Sequence, residues 1–249
     1  MTDAAPPPRF SVVIPAYNEE KFLPRLLDSV DAARCAYSRG AESIEVLVAD
    51  NLSTDGTARV AATHGCRIAT VEKRVIAAAR NGGARASSGE ILCFVDADAC
   101  IHLRTFDAID RALSTGRIIG GATGVKLERW SVGIAVTYAM FVPWVWLVGI
   151  DTGVVFCRRE DFFAAGGYDE NRRFAEDVAF LLALRRLGKL RRQHLTRLTS
   201  VKALASLRKF DEFGDWHYLT MMPRLALRLL LRRGTADDFA DLYWYRPNR

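Results

Sequence analysis

Between Phe10 and Ser114 the chain repeats one pattern: a short apolar run, a turn, then apolar residues recurring at helical spacing. Phe10 to Ile14 is β-rich, Pro15-Ala16-Tyr17-Asn18 breaks it, and Leu23, Leu26, Leu27 and Val30 then share one helix face. The runs at Ile44 to Val48, Ile68 to Val71 and Ile91 to Val95 are followed by helical segments at Thr57 to His64, Ala77 to Ser87 and His102 to Ser114. Strands that alternate with helices must be joined by crossovers, so the pattern predicts an α/β protein with a mostly parallel sheet and helices on both faces. Ligands of such sheets bind beyond the carboxyl ends of the strands. Asp50, Asp96 and Asp98 all fall at such ends.

In ILCFVDADA, Ile91 to Ala99, five apolar residues run directly into two aspartates. The side-chain period of two puts Asp96 and Asp98 on one face. Two carboxylates so close repel unless a positive charge lies between them, and a divalent cation such as Mg²⁺ or Mn²⁺ would serve and could grip a diphosphate. A solvated strand end is the plainer alternative.

Beyond Ser114 the chain predicts a glycine-laced strand over Ile118 to Val125, a strand over Gly153 to Cys157 and a short helix over Arg159 to Ala165 stopped by Gly166-Gly167. Phe174-Ala175-Glu176-Asp177 opens a helix from Val178 to Leu187. Acidic residues in a first turn suit the helix dipole, so capping alone would account for Glu176 and Asp177. Ser131 to Ile150 carries no charge over about the length of a bilayer span. Gly133, Pro143 and Gly149 favour a buried or interface-lying segment over a true span.

Half of the 249 residues are hydrophobic, enough for a full core. The five cysteines form no Cys-x-x-Cys pair and are odd in number, which argues for reduced thiols and a cytoplasmic setting. The opening MTDAAPPPR has no apolar core like that of a signal peptide. Charge is uneven: Arg185 to Arg233 holds 13 Lys or Arg against three acids, so this part carries +10 and the remainder −4. Such asymmetry suits a phosphorylated substrate or an anionic membrane surface, and without zinc-finger spacing or RNA-binding aromatics it does not suggest nucleic acid. Arg224, Arg228 and Arg232 lie four apart beside a run of leucines, the pattern of a helix resting peripherally on the inner face of a membrane or of one packed on its own domain. The expected division is a lead-in at 1–9, a main domain at 10–196 in two halves (10–100 and 101–196), and a basic helical C-terminal extension at 197–249.

With these pieces in order, the sequence resembles the inverting glycosyltransferases of family 2, which share the nucleotide-sugar-binding GT-A fold. The resemblance covers roughly Phe10 to Leu187. It rests on VVIPAYNEE (Val12 to Glu20), ADNLSTDGT (Ala49 to Thr57), ARNGGARASSGE (Ala79 to Glu90), VDADA, and GGYDE (Gly166 to Glu170) followed by AED at Ala175 to Asp177.

The resemblance implies transfer of one sugar from a nucleotide diphosphate sugar, UDP- or GDP-linked, to an acceptor hydroxyl with inversion. Pro15, Ala16 and Tyr17 would flank the base, and Glu19 would hydrogen-bond the nucleoside. Asp50 would accept from a base N–H, unless it serves only an Asx-turn. Arg80 would reach donor phosphate or base, Asp98 with Asp96 would hold Mn²⁺ or Mg²⁺, and Asp177 would be the general base. Lys202, Arg208 and Lys209 could contact the diphosphate but read first as a solvated basic face, and His194 and His217 receive no role. The Q-x-x-R-W motif and paired transmembrane helices of processive synthases are missing. Alternatives are a polyprenyl-phosphate sugar synthase similar to dolichyl-phosphate-mannose synthase, with a lipid-phosphate acceptor, and a catalytically silent nucleotide-sugar-binding protein.

Overall fold

A computed structural model of the chain describes residues 7–148, 151–173 and 175–221. Seven strands, β1 (Phe10–Ala16), β2 (Ile44–Asp50), β3 (Arg67–Thr70), β4 (Ile91–Phe94), β5 (Ile118–Leu127), β6 (Val155–Arg158) and β7 (His194–Ala205), form one sheet in the order β3-β2-β1-β4-β6-β5-β7. Neighbours pair in parallel except β6, which runs antiparallel to both β4 and β5. The helices are α1 (Leu23–Cys35), α2 (Thr57–Thr63), α3 (Ile76–Ala86), α4 (Thr105–Ser114), α5 (Val132–Val148), α6 (Arg159–Ala164), α7 (Glu176–Leu190) and α8 (Arg208–Phe213).

The period of two sorts the strand residues between two cores. Phe10, Val12, Ile14, Ile91 and Cys93 face a cluster built with Leu23, Leu26, Leu27 and Val30 of α1 and Phe106, Ile109 and Leu113 of α4. Val13, Leu92 and Phe94 face the other way, onto Ala77, Ala78 and Ala84 of α3, Phe162 of α6 and Phe180, Leu181 and Leu184 of α7. β1, central and covered on both faces, is buried along its whole length, which is why it reads as a nearly unbroken apolar run.

Two glycines let α3 lie close to the sheet. A Cβ on Gly83 would come within 2.4 Å of Val13 Cγ1, and one on Gly82 within 2.4 Å of Val71 Cγ2. The Gly82-Gly83 pair thus serves packing, and it brings Arg80 and Asn81 to the sheet's carboxyl edge.

The expected helix-covered, mostly parallel sheet is present. The stretch 197–205, expected to be helical, is instead the greater part of β7, so a boundary at 196 cuts a strand of the central sheet. Ser131 to Ile150 contains α5, and among the described residues no helix is long and apolar enough to cross a membrane. Arg224, Arg228 and Arg232 lie outside the described residues.

Candidate active site

Because β6 is reversed, its amino end joins the carboxyl ends of the other strands, and the segments leaving this edge enclose a cavity of about 470 Å³. Pro15, Ala16, Tyr17 and Glu19 after β1, Asp96 and Asp98 after β4, Thr152 before β6, Asp177 at the start of α7 and Arg208 at the start of α8 all line it, with Arg80 from α3. Loop contacts hold the rim. The backbone N–H of Asn18 donates to Ser53 Oγ (3.1 Å), and its side-chain Oδ1 accepts from the N–H of Thr54 (2.8 Å). Asn81 clips the loop before α7 by accepting from the N–H of Tyr168 (2.9 Å) and donating to its carbonyl (2.8 Å).

Arg80 is the hub. Its side chain is 4% exposed and its guanidinium reaches three carboxylates: Nη2 to Asp96 (2.7 Å), Nη1 to Glu176 (2.8 Å) and Nη1 to Asp177 (2.7 Å). The ring of buried Tyr168 lies 5.1 Å from the guanidinium. Glu176 and Asp177 both lie in the first turn of α7, as the helix-dipole alternative expects; Ala175 precedes them in the left-handed region (φ 54°), and the Asp177 carboxylate also turns to Arg80. Burial pushes the Asp177 carboxyl up to about 7, Arg80 opposes the shift, and Glu176 and Asp96 add to it. A carboxyl so raised takes a proton near neutral pH more readily than an ordinary aspartate.

A second arginine closes the other side. Arg208 Nη1 donates to both oxygens of Glu19 (2.9 and 2.7 Å), and its Nε lies 3.0 Å from Asp98 Oδ2. Glu19 therefore turns toward an arginine in this structure. Arg74 stacks on Tyr17 at 4.0 Å.

Most of the residues expected from sequence converge here, with one exception. Asp50 is buried and its Oδ1 accepts the N–H of Ser53 (3.2 Å), an Asx-type turn, while its neighbour Asn51 lines the cavity. Arg80 is engaged with carboxylates, a pairing its sequence position gave no sign of. Arg208 and Lys209 line the cavity and are not a solvated face; the signal for them was their positive charge, which could meet a diphosphate. Neither His194 nor His217 lines the cavity.

Among the described residues no group of three or more His, Cys, Asp or Glu side chains is set to hold a metal ion. Asp96 and Asp98 both line the cavity, and they lie in the turn beyond β4, which ends at Phe94, not on one face of the strand as expected. One or two carboxylates, with the remaining positions left to phosphate oxygens and water, is the donor set that Mg²⁺ uses, so these residues fit such an ion. The cavity is balanced as it stands, lined by five acids (Glu19, Asp96, Asp98, Glu176, Asp177) and five bases (Arg74, Arg80, Arg173, Arg208, Lys209).

An open α/β sheet with a cavity at its carboxyl edge is the architecture of the GT-A fold, and solved structures share it. The chain superposes on Staphylococcus aureus TarS 1–349 in complex with UDP-GlcNAc with a TM-score of 0.62 at 20% identity, covering 80% of this chain and 58% of that one. For the mannosyltransferase PcManGT of Pyrobaculum calidifontis in complex with GDP-Man and Mn²⁺, the TM-score is 0.59 at 21% identity, with coverage of 82% and 58%.

Residues 11–130, just under half of the chain, match the sequence model of Glycosyl transferase family 2. It is 36% identical over 131 residues to the glycosyltransferase AglE of Haloferax volcanii, covering 50% of this chain and 40% of the relative. It is 33% identical over 125 residues to the dolichyl-phosphate beta-glucosyltransferase of Mus musculus, covering 44% and 37%. The chain thus spans about half or less of the length of these curated relatives.

Proposed function

We propose that this protein transfers a single sugar from a nucleotide diphosphate sugar to an acceptor hydroxyl with inversion, with Asp177 as the base. The observation that carries the reading is the Arg80 fork. It ties Asp177, on the helix that follows the acceptor-side motif, to Asp96, on the loop that would meet the donor diphosphate. Mn²⁺ or Mg²⁺ held by Asp96 and Asp98 would supply positive charge to the departing diphosphate.

The chain's own residues supply the rest. Tyr17, Pro15 and Ala16 form the wall against which the base would lie, and Asp50 shapes that wall through its turn. Asp177 takes the proton of the acceptor hydroxyl as that oxygen bonds to the anomeric carbon, and the bond to the diphosphate breaks with its electron pair leaving on the diphosphate. One displacement gives one inversion. A base without a role would be odd in a silent binder, and the raised Asp177 carboxyl supports catalysis over that alternative.

A specific observation favours a second reading of the acceptor, a polyprenyl phosphate at a membrane surface. Trp130, Val132, Val136, Tyr138 and Met140 on and beside α5 are exposed, as is Trp216. Such a surface suits peripheral contact with lipid.

The test incubates the protein with Mn²⁺ and a panel of UDP- and GDP-linked sugars, following nucleotide diphosphate release and the NMR signal of the product's anomeric proton. Hydrolysis or transfer of one donor class with an inverted anomer is the expected result. No release from any donor, or a retained anomer, overturns the reading.

A further inference from the structure

The second arginine occupies a position with consequences beyond neutralising two acids. β7 ends at Ala205, and Arg208 follows three residues later. Its location does not depend on a long loop. Leu204 exchanges two backbone hydrogen bonds with Cys100, 2.9 and 2.8 Å, two residues beyond Asp98, and Leu207 is buried. The end of the last strand is thereby stitched to the aspartate loop, with Arg208 turned onto Asp98 and Glu19 and its guanidinium 5.2 Å from the ring of Phe22.

Arg208 Nε is 3.0 Å from Asp98 Oδ2, so a divalent cation held by Asp98 would have to share that carboxylate with the guanidinium. One carboxylate cannot neutralise both, and the excess positive charge is unfavourable until a further anion enters. A diphosphate is that anion.

We infer that Arg208 is a built-in counter-cation for the donor site: it holds Asp98 and Glu19 before the donor arrives, yields Asp98 to the metal only when diphosphate enters with it, and then pairs with the diphosphate. This inference rests on the reading of Asp96 and Asp98 as the metal carboxylates. Its consequence is an order of events. The divalent cation alone binds poorly, the nucleotide-bound cation binds well, and the acidic cavity does not fill with stray metal. The balanced charge of the cavity fits this account, since a divalent cation and a diphosphate enter as a nearly neutral pair.

The test measures Mn²⁺ binding by EPR titration without nucleotide, and UDP and GDP binding by calorimetry in saturating Mn²⁺, for the wild type, Arg208→Gln and Arg208→Lys. Removing a charge-assisted contact should change affinity roughly tenfold to a hundredfold. Arg208→Gln should therefore bind Mn²⁺ alone more tightly than the wild type by that factor and bind the nucleotide in Mn²⁺ more weakly. Arg208→Lys, which keeps the charge, should retain the weak Mn²⁺ binding of the wild type. Adding Asp98→Asn to Arg208→Gln should abolish the gain.

Mn²⁺ affinity that is unchanged or lower in Arg208→Gln, while the wild type still binds Mn²⁺ together with nucleotide, overturns the counter-cation and leaves the metal site standing. Failure of every variant to bind Mn²⁺ even with nucleotide removes the metal site itself, and this inference with it.

Discussion

Replacing Arg80 by Met tests whether one buried guanidinium organises the site. The methionine fills much of the same space and removes three charge-assisted bonds of 2.7 to 2.8 Å. The three carboxylates do not suffer equally. The Asp96 side chain is 50% exposed and regains water at small cost, whereas Glu176 and Asp177 are 11% and 18% exposed and cannot. Breaking a buried pair by removing one partner costs about 3 to 5 kcal/mol, and two stranded carboxylates place Arg80→Met in that range at pH 8. Part of the cost is recoverable by protonation. Asp177 is already raised by burial, and loss of Arg80, which opposes that shift, sends it higher. The folded variant then holds a proton that the unfolded chain, titrating near pH 4, has released, so its stability falls as pH rises from about 4 through the folded value. The destabilisation relative to the wild type should therefore be largest at about pH 8 and shrink toward about pH 5. Urea unfolding of both proteins at the two pH values measures this. A loss below about 1 kcal/mol at pH 8, or the same loss at both, would refute Arg80 as the structural hub.

Two further outcomes follow from the same geometry. If Asp177 is the base, Asp177→Asn lowers kcat by roughly a hundredfold to ten-thousandfold with little change in nucleotide affinity, and kcat/KM of the wild type climbs as pH rises through about 7, where the free carboxyl loses its proton. Initial rates across that range, with calorimetry of UDP and GDP, check both parts. Gly121→Ala should destabilise by about 3 kcal/mol or more, because a Cβ there would lie 1.9 Å from the backbone oxygen of Thr196 on the paired strand, and thermal unfolding would read it as a clearly lowered Tm.

How far the fold could be read from sequence depended on whether each element carries its own burial pattern. β1 and β2 are apolar because both faces are covered, and α1 and α4 show their buried stripe at three- and four-residue spacing, so these elements announce themselves. β7 does not. Its sequence HLTRLTSVKALA mixes charged and apolar residues because it is an edge strand, with few of its positions buried, paired along its length to β5 and bridged to Cys100 at Leu204. The reversal of β6 is equally silent, since four apolar residues have no direction.

The site divides along the same physical line. Asp96, Asp98 and Asp177 sit in short motifs whose chemistry is local, and they were visible. Asp50 shows that local chemistry has more than one outlet: the Ser53 N–H, three residues on, takes its carboxylate. The carboxylate partners of the arginines could not be found this way, because a basic residue acquires its partners from the fold. Arg80, expected at the donor, meets Asp177 97 residues later, and Arg208 meets Glu19 189 residues earlier. Burial changes that expectation. A lysine or arginine is taken out of water only where carboxylates await it, so one buried and one half-buried arginine gathering five carboxylates around one cavity are better evidence for a site handling anions and cations together than the aspartate motif is by itself.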